Sequence, residues 1–287
     1  MVFEVFKQAG SKLKWSSSSR RWRRLHFIGD CSPMLIDKQP NTFLEDVSAL
    51  IKVFGALATS PKWYQVRAVI RSSVGGTIES IVCLAIGRLH NTDINDVDEQ
   101  QPNLQVTFQI ALLLLLCNEF QIPVENRIIY DPRHTKEDNF LWKMLGLTPQ
   151  NFNAKDPVTS NTLFYMPFCP WGVTEDIVAS NWTQLERISI LGNSFSFVID
   201  PHTGTFEEGV EQQQPTTTRA PHVKQAKSRC KEIICWEGDH ETWLSGETSE
   251  GFPQHQLDST IVSFPMLEDE DATKKWMRFK PYPQSKL

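Results

Sequence analysis

Cysteine is sparse in this chain of 287 residues: Cys31, Cys83, Cys117, Cys169, Cys230 and Cys235, with no two spaced as a CxxC pair. That spacing excludes the common zinc-ribbon and dithiol motifs and suits reduced, buried thiols in a cytoplasmic or nuclear protein. Long apolar runs are missing too. The longest, Ile110–Cys117, falls far below the ~20 residues of a bilayer-spanning helix, so no membrane partner is expected. No secretory h-region follows the N-terminal charges, so no export is expected either. The basic, Ser-rich, acid-poor start shares its composition with transit peptides, and we read it as a solvated arm or weak anion-binding segment. Motifs that would name a reaction are also lacking. There is no Walker sequence, no three-glycine dinucleotide fingerprint, no H-E-x-x-H, no G-x-S-x-G and no internal repeat.

What is present is an ordinary globular composition with unevenly spread charge. Lys7, Lys12, Lys14, Arg20, Arg21, Arg23 and Arg24 face only Glu4 within residues 1–24, a net +6, which leaves −11 for the remainder of a chain of net −5. An acidic body repels phosphate and argues against nucleic acid as the main partner. Three divisions follow: a poorly ordered basic arm over 1–40, a single domain over 41–265 and an acidic, aromatic tail over 266–287. Within the domain, residues 200–230 hold few large apolar side chains and read as a disordered insertion or surface loop.

The domain alternates strands and helices. Thr42 and Glu45 have capping-box spacing at the head of a helix whose apolar face runs from Phe43 to Leu57. A shorter amphipathic piece covers Trp63–Arg71. Ile78–Ile86 reads as a central strand buried on both faces, followed by a helix over Leu104–Phe120. Val124–Tyr130 reads as a second strand and Thr135–Leu145 as a helix, with Gly146 placed for a left-handed cap. Thr162–Phe197 has the pattern of strand, Pro–Cys turn, helix, strand and Gly–Asn turn. An edge strand near Ile233–Trp236 and a last strand over Thr260–Phe264 complete the pattern. The expected fold class is α/β: a Rossmann-like, doubly wound, mostly parallel sheet with helices on both faces.

Open sheets of this kind bind ligands beyond the carboxyl ends of their strands. Gly87 lies at that position after the first strand, either lining a ligand or simply supplying positive φ. Asp131 ends the second strand, where an acid takes ribose hydroxyls in nucleotide binders; Asp-Pro is also a turn starter. Cys169 stands near a helix N-terminus, where a thiol pKa can fall, though no histidine adjoins it in sequence. Asn193 and Ser194 can line a polar pocket or cap the next element. Glu237, Asp239, His240 and Glu241 are close enough in sequence to invite a metal reading, but without a metal-binding motif they read as a charged surface loop.

Several of these segments together resemble one family, the SRR-like domain ("sensitivity to red light reduced"). Leu163–Pro170 (LFYMPFCP), Asn181-Trp182 and Ile190–Phe195 (ILGNSF) are similar to its Met-Pro-His-Cys strand end, Asn-Trp helix and Gly-Asn-Ser-Phe strand end. In the same order, Ile81–Gly87 resembles its Gly-Leu-Gly strand end and Gln109-Ile110-Ala111 its Gln-Leu-Ala helix. Tyr130-Asp131-Pro132 resembles its Asp-Pro segment, with Glu137, Asp138, Leu145 and Gly146 following. Asp258-Ser259-Thr260 with Phe264 resembles its C-terminal segment. Two departures stand out: family Gly-Leu-Gly is Ala85-Ile86-Gly87 here, and family Pro-His-Cys is Pro167-Phe168-Cys169.

The resemblance implies a regulatory protein without an assigned reaction, associated with circadian and light signalling in plants and elsewhere with haem metabolism and cytoskeletal phenotypes. The expected ligand edge comprises Gly87, Gln109, Asp131, Cys169, Asn181, Asn193 and Asp258. The partner is expected to be a small nucleotide-like ligand or another protein. Two rivals remain. One is a transferase using a nucleotide-like cofactor such as S-adenosyl-methionine. The other is an interaction scaffold acting through the arm and the 200–230 segment.

Overall fold

The computed structural model describes residues 40–74, 76–89, 103–167, 169–199, 220–236 and 259–264. Two helices come first, α1 (Pro40–Thr59) and α2 (Pro61–Ser73), separated by Ser60, whose side chain accepts from the Trp63 amide and caps α2. β1 (Ser80–Leu84) is buried along its whole length, as its apolar run requires. It leads to α3 (Leu104–Glu119), opened by the Asn103 side chain accepting from Val106 N. Every residue of α3 from Val106 to Cys117 is buried, so this helix lies inside the molecule instead of on its rim.

A 3₁₀ turn (Val124–Asn126) precedes β2 (Arg127–Tyr130), and α4 (Lys136–Met144) follows. Thr135 and Asp138 form a reciprocal capping box at the start of α4. Gly146 closes α4 at φ +72°. Its amide donates to Lys143 O and that of Leu147 to Trp142 O, the Schellman arrangement that only a left-handed residue permits cheaply. The next elements are the short β3 (Thr148–Pro149), β4 (Thr162–Met166), α5 (Trp171–Ser180), a 3₁₀ turn (Trp182–Arg187) and β5 (Ile188–Gly192). The described chain ends with α6 (Phe195–Ile199), α7 (Pro221–Lys227), β6 (Lys231–Trp236) and β7 (Ser259–Ser263).

The seven strands form one sheet in the order β3-β2-β1-β4-β5-β7-β6. The first five are parallel, β7 runs antiparallel to β5, and β6 pairs antiparallel with β7 at the edge. Side chains alternate between two cores. Ile81, Cys83, Leu163 and Tyr165 face α1–α4, while Val82, Leu84, Phe164 and Met166 face α5–α7. The doubly wound α/β expectation is therefore met. At the carboxyl edge β4 and β5 approach so closely that a Cβ on Gly192 would sit 2.6 Å from Met166 O. No helix among the described residues is long and apolar enough to cross a membrane.

Several local expectations need correction. β1 stops at Leu84 and Ala85 turns away at φ +56°, so the strand does not reach Ile86. Val124–Asn126 is a 3₁₀ turn, not strand. Thr42 lies inside α1, so it does not cap it. Within the segment read as a disordered insertion, Pro221–Lys227 is helical and Val223 and Ala226 are buried against α5. Its contact side chains are small, which hid it from a search for large apolar residues.

Candidate functional site

The chain runs from β1 outward to β2 and β3, then returns to β4 on the other side of β1. In open α/β sheets the two crossovers adjoining such a reversal diverge, so the place for a ligand crevice is above the carboxyl ends of β1 and β4. The β1 end of the crevice is tied to the β2 end through Gly87. Its amide donates to Asp131 Oδ2 (2.9 Å), and its carbonyl accepts from His134 Nε2 (3.0 Å), which therefore carries the proton. Arg88 Nε donates to Asp138 Oδ2 (3.3 Å), the carboxylate that also closes the capping box of α4.

Gly87 is needed twice over. Its φ is +83°, and a Cβ would lie 3.3 Å from Arg133 Nη2 and 3.6 Å from Val106 Cγ2. The amino end of α3 is anchored at the same turn by Asn103 N donating to Leu89 O (3.0 Å).

Asp131 is buried, and its carboxylate accepts four hydrogen bonds. Oδ1 takes Arg133 N (2.9 Å) and Nε (3.2 Å); Oδ2 takes Gly87 N (2.9 Å) and Arg133 Nη2 (3.3 Å). Those bonds occupy the roughly four acceptor positions of a carboxylate. Burial disfavours its charge, but the Arg133 side chain and the amides of Arg133 and Gly87 outweigh that cost and hold its pKa below the ordinary value. Asp131 also starts a turn, its carbonyl accepting from His134 N (3.0 Å). His134, half-buried against Trp142 with ring centroids 5.5 Å apart, has its pKa lowered chiefly by desolvation.

Across the crevice, Asn193 Nδ2 donates to Cys169 O (3.2 Å), linking the turns after β4 and β5. Burial, then the charge of Asp131, pushes the Cys169 thiol up to about 12. At neutral pH it is protonated and is not an activated nucleophile.

Of the expected edge, Gly87, Asp131, Cys169 and Asn193 lie at the carboxyl ends of neighbouring strands. Gln109 is buried one turn beyond Val106 on α3. Asn181 does not belong with them, which corrects its expected place. It ends α5, which runs back to the amino edge, and its Oδ1 accepts from Val158 N (2.8 Å) ahead of β4. Its Nδ2 returns to Ile177 O (2.9 Å), so Asn181 fastens a connection. Asp258, Phe168 and the Glu237–Glu241 group lie outside the described residues. Among the described residues no group of three His, Cys, Asp or Glu is placed to hold a metal. Arg133 and His134, which pattern reading passed over, complete the edge; their only signal is position, directly after the Asp-Pro that ends a strand.

A mostly parallel sheet of this order, with helices on both faces and a glycine turn and a carboxylate at its reversal, defines a Rossmann-like α/β domain. The SRR1 domain model matches residues 60–267, more than half of the chain, and the chain belongs to that family. The SRR1-like protein of Mus musculus is 34% identical over 92 residues, covering 30% of this chain and 37% of its own length. Protein SENSITIVITY TO RED LIGHT REDUCED 1 of Arabidopsis thaliana is 28% identical over 92 residues, covering 31% of this chain and 34% of its own. The matched region thus spans about a third of each relative. A solved 23S rRNA methyltransferase, ErmE, aligns with 73% of this chain and 72% of its own at 12% identity and a TM-score of 0.35, a likeness that carries no argument about function.

Proposed function

We propose that this chain is a regulatory binding protein whose SRR1 domain holds a small nucleotide-like ligand in the crevice between β1 and β4. The observation that carries this reading is the strand-order reversal with the Gly87 turn, Asp131 and the Cys169–Asn193 link all at its rim. The protonated Cys169 thiol favours binding over covalent chemistry. The regulated process is of the signalling kind, in keeping with the red-light sensitivity in the Arabidopsis relative's name, and its finer form on this reading is circadian or haem-related. The site of action is the cytoplasm, the nucleus or both, and the output passes to a protein partner.

A second reading is favoured by one arrangement: a glycine turn after β1 followed by an acid after β2 is the order in which nucleotide-like cofactors are held. On that reading the protein is a transferase using such a cofactor, S-adenosyl-methionine among them.

The test is thermal unfolding of the full chain with S-adenosyl-methionine, NAD(P), ATP, GTP, haem and divalent metals. A ligand at 100 times its Kd stabilises the native state by about 2.7 kcal/mol, a rise of a few degrees. A rise with a nucleotide-like ligand that shrinks in Asn193→Ala supports the crevice; methyl transfer in the same sample would move the reading to the enzyme. No rise with any ligand would overturn small-molecule binding and leave a protein-only regulator.

A further inference from the structure

We propose that the ligand reaches Asp131 by displacing the Arg133 side chain, and that its recognition group is a vicinal diol of the ribose kind. This rests on the crevice being the binding site.

The four bonds to Asp131 fall into two classes. Those from the backbone amides of Gly87 and Arg133 are both 2.9 Å, and they hold the turns themselves together. Those from the Arg133 guanidinium are longer, 3.2 Å from Nε and 3.3 Å from Nη2, and they come from a side chain 67% exposed. An ion pair with so exposed a partner is screened by water, so the guanidinium gives way to another donor more readily than the two backbone amides do. The carboxylate behind it is only 2% exposed, which preserves its hydrogen-bonding strength for whatever replaces the guanidinium.

The pattern of the two weak bonds identifies the replacement. Nε donates to Oδ1 and Nη2 to Oδ2, one bond to each oxygen. Moving Arg133 aside opens one acceptor position on each oxygen while both backbone bonds stay. A vicinal diol presents two adjacent O–H donors and fills that pair of positions. A single hydroxyl would leave one of them empty. An anion would meet the carboxylate as a like charge. Gly87 leaves the guanidinium room to move, since a Cβ there would lie 3.3 Å from Nη2. Arg133 is then an intramolecular competitor: it satisfies the buried carboxylate in the unliganded protein and lowers affinity until it is displaced.

The test titrates the full chain with adenosine and with 2′,3′-dideoxyadenosine by calorimetry, in the wild type and in Arg133→Met, which keeps the apolar stem and removes the donors. The expected result is binding of adenosine and not of the dideoxy compound, with affinity for adenosine raised about two- to fivefold in Arg133→Met, the range set by an exposed ion pair. Equal binding of the two nucleosides, or weaker adenosine binding in Arg133→Met, would overturn the proposal and leave the crevice as a site of another kind. Adenosine binding to neither protein while haem or a divalent metal, which carry no diol, raises the melting temperature would do the same. Failure of every ligand would remove the binding reading along with it. The dideoxy comparison in the wild type stands even where the variant fails to fold.

Discussion

Ala85 and Gly87 turn the chain out of β1 with positive φ at both residues, +56° and +83°. For an alanine that conformation costs about 1–2 kcal/mol, part of which a glycine would return as unfolded-state entropy. Ala85→Gly should therefore stabilise the protein by roughly 0.5–1 kcal/mol in a denaturant titration. Gly87→Ala should destabilise it, since it adds both strain and the Arg133 contact at 3.3 Å. Titration gives a second check at this scale. The folded Asp131 pKa is depressed, so its stabilisation is present above the ordinary carboxylate range and lost as pH falls through the folded value. His134 is also depressed, so between its ordinary value near 6.5 and the lower folded one the unfolded chain binds more protons and stability falls as pH falls. Unfolding curves of Asp131→Asn and His134→Gln should each lack the matching slope; unchanged slopes would remove these groups from the linkage. Gly87 and Gly146 were legible in the sequence because a glycine after an apolar run has a local meaning. His134 was not, because its bond to Gly87, like those of Asp131 to Gly87 and of Asp138 to Arg88, bridges 44–50 positions. Arg133 was not, because its bonds to Asp131 depend on how the turn between them folds.

Among the elements, α3 carries the largest packing burden. Leu112 and Leu113 are fully buried, with the sheet below and α1 beside them. Leu113→Ala should cost about 2–5 kcal/mol, read as a fall in the unfolding midpoint. The helix was legible because its apolar run and its flanking asparagine are both local. Helix ends were less so. Asn181 was expected at the ligand edge from its place in a motif, but α5 is ten residues long and ends at Ser180. At about 1.5 Å per residue that length carries the chain back across the sheet. Gly192 shows the opposite case, a glycine explained by contact: at the β4–β5 edge Gly192→Ala would drive its Cβ into Met166 O, so lost thermal stability is the expected outcome.

For the whole molecule, alternation of strands and helices made the α/β class readable, while the order of strands was not. Nothing local in Thr260–Ser263 says that it enters between β5 and β6 and runs antiparallel to both. That order matters because it sets the reversal between β1 and β4, where open sheets of this kind hold their ligands. The most direct measurement is an amide chemical-shift map of the full chain titrated with adenosine. The prediction is movement of the Gly87, Arg133, His134, Cys169 and Asn193 amides, with Val158, Asn181 and Gln184 at the amino edge unmoved. Movement confined to the amino edge, or at no amide, would contradict the account.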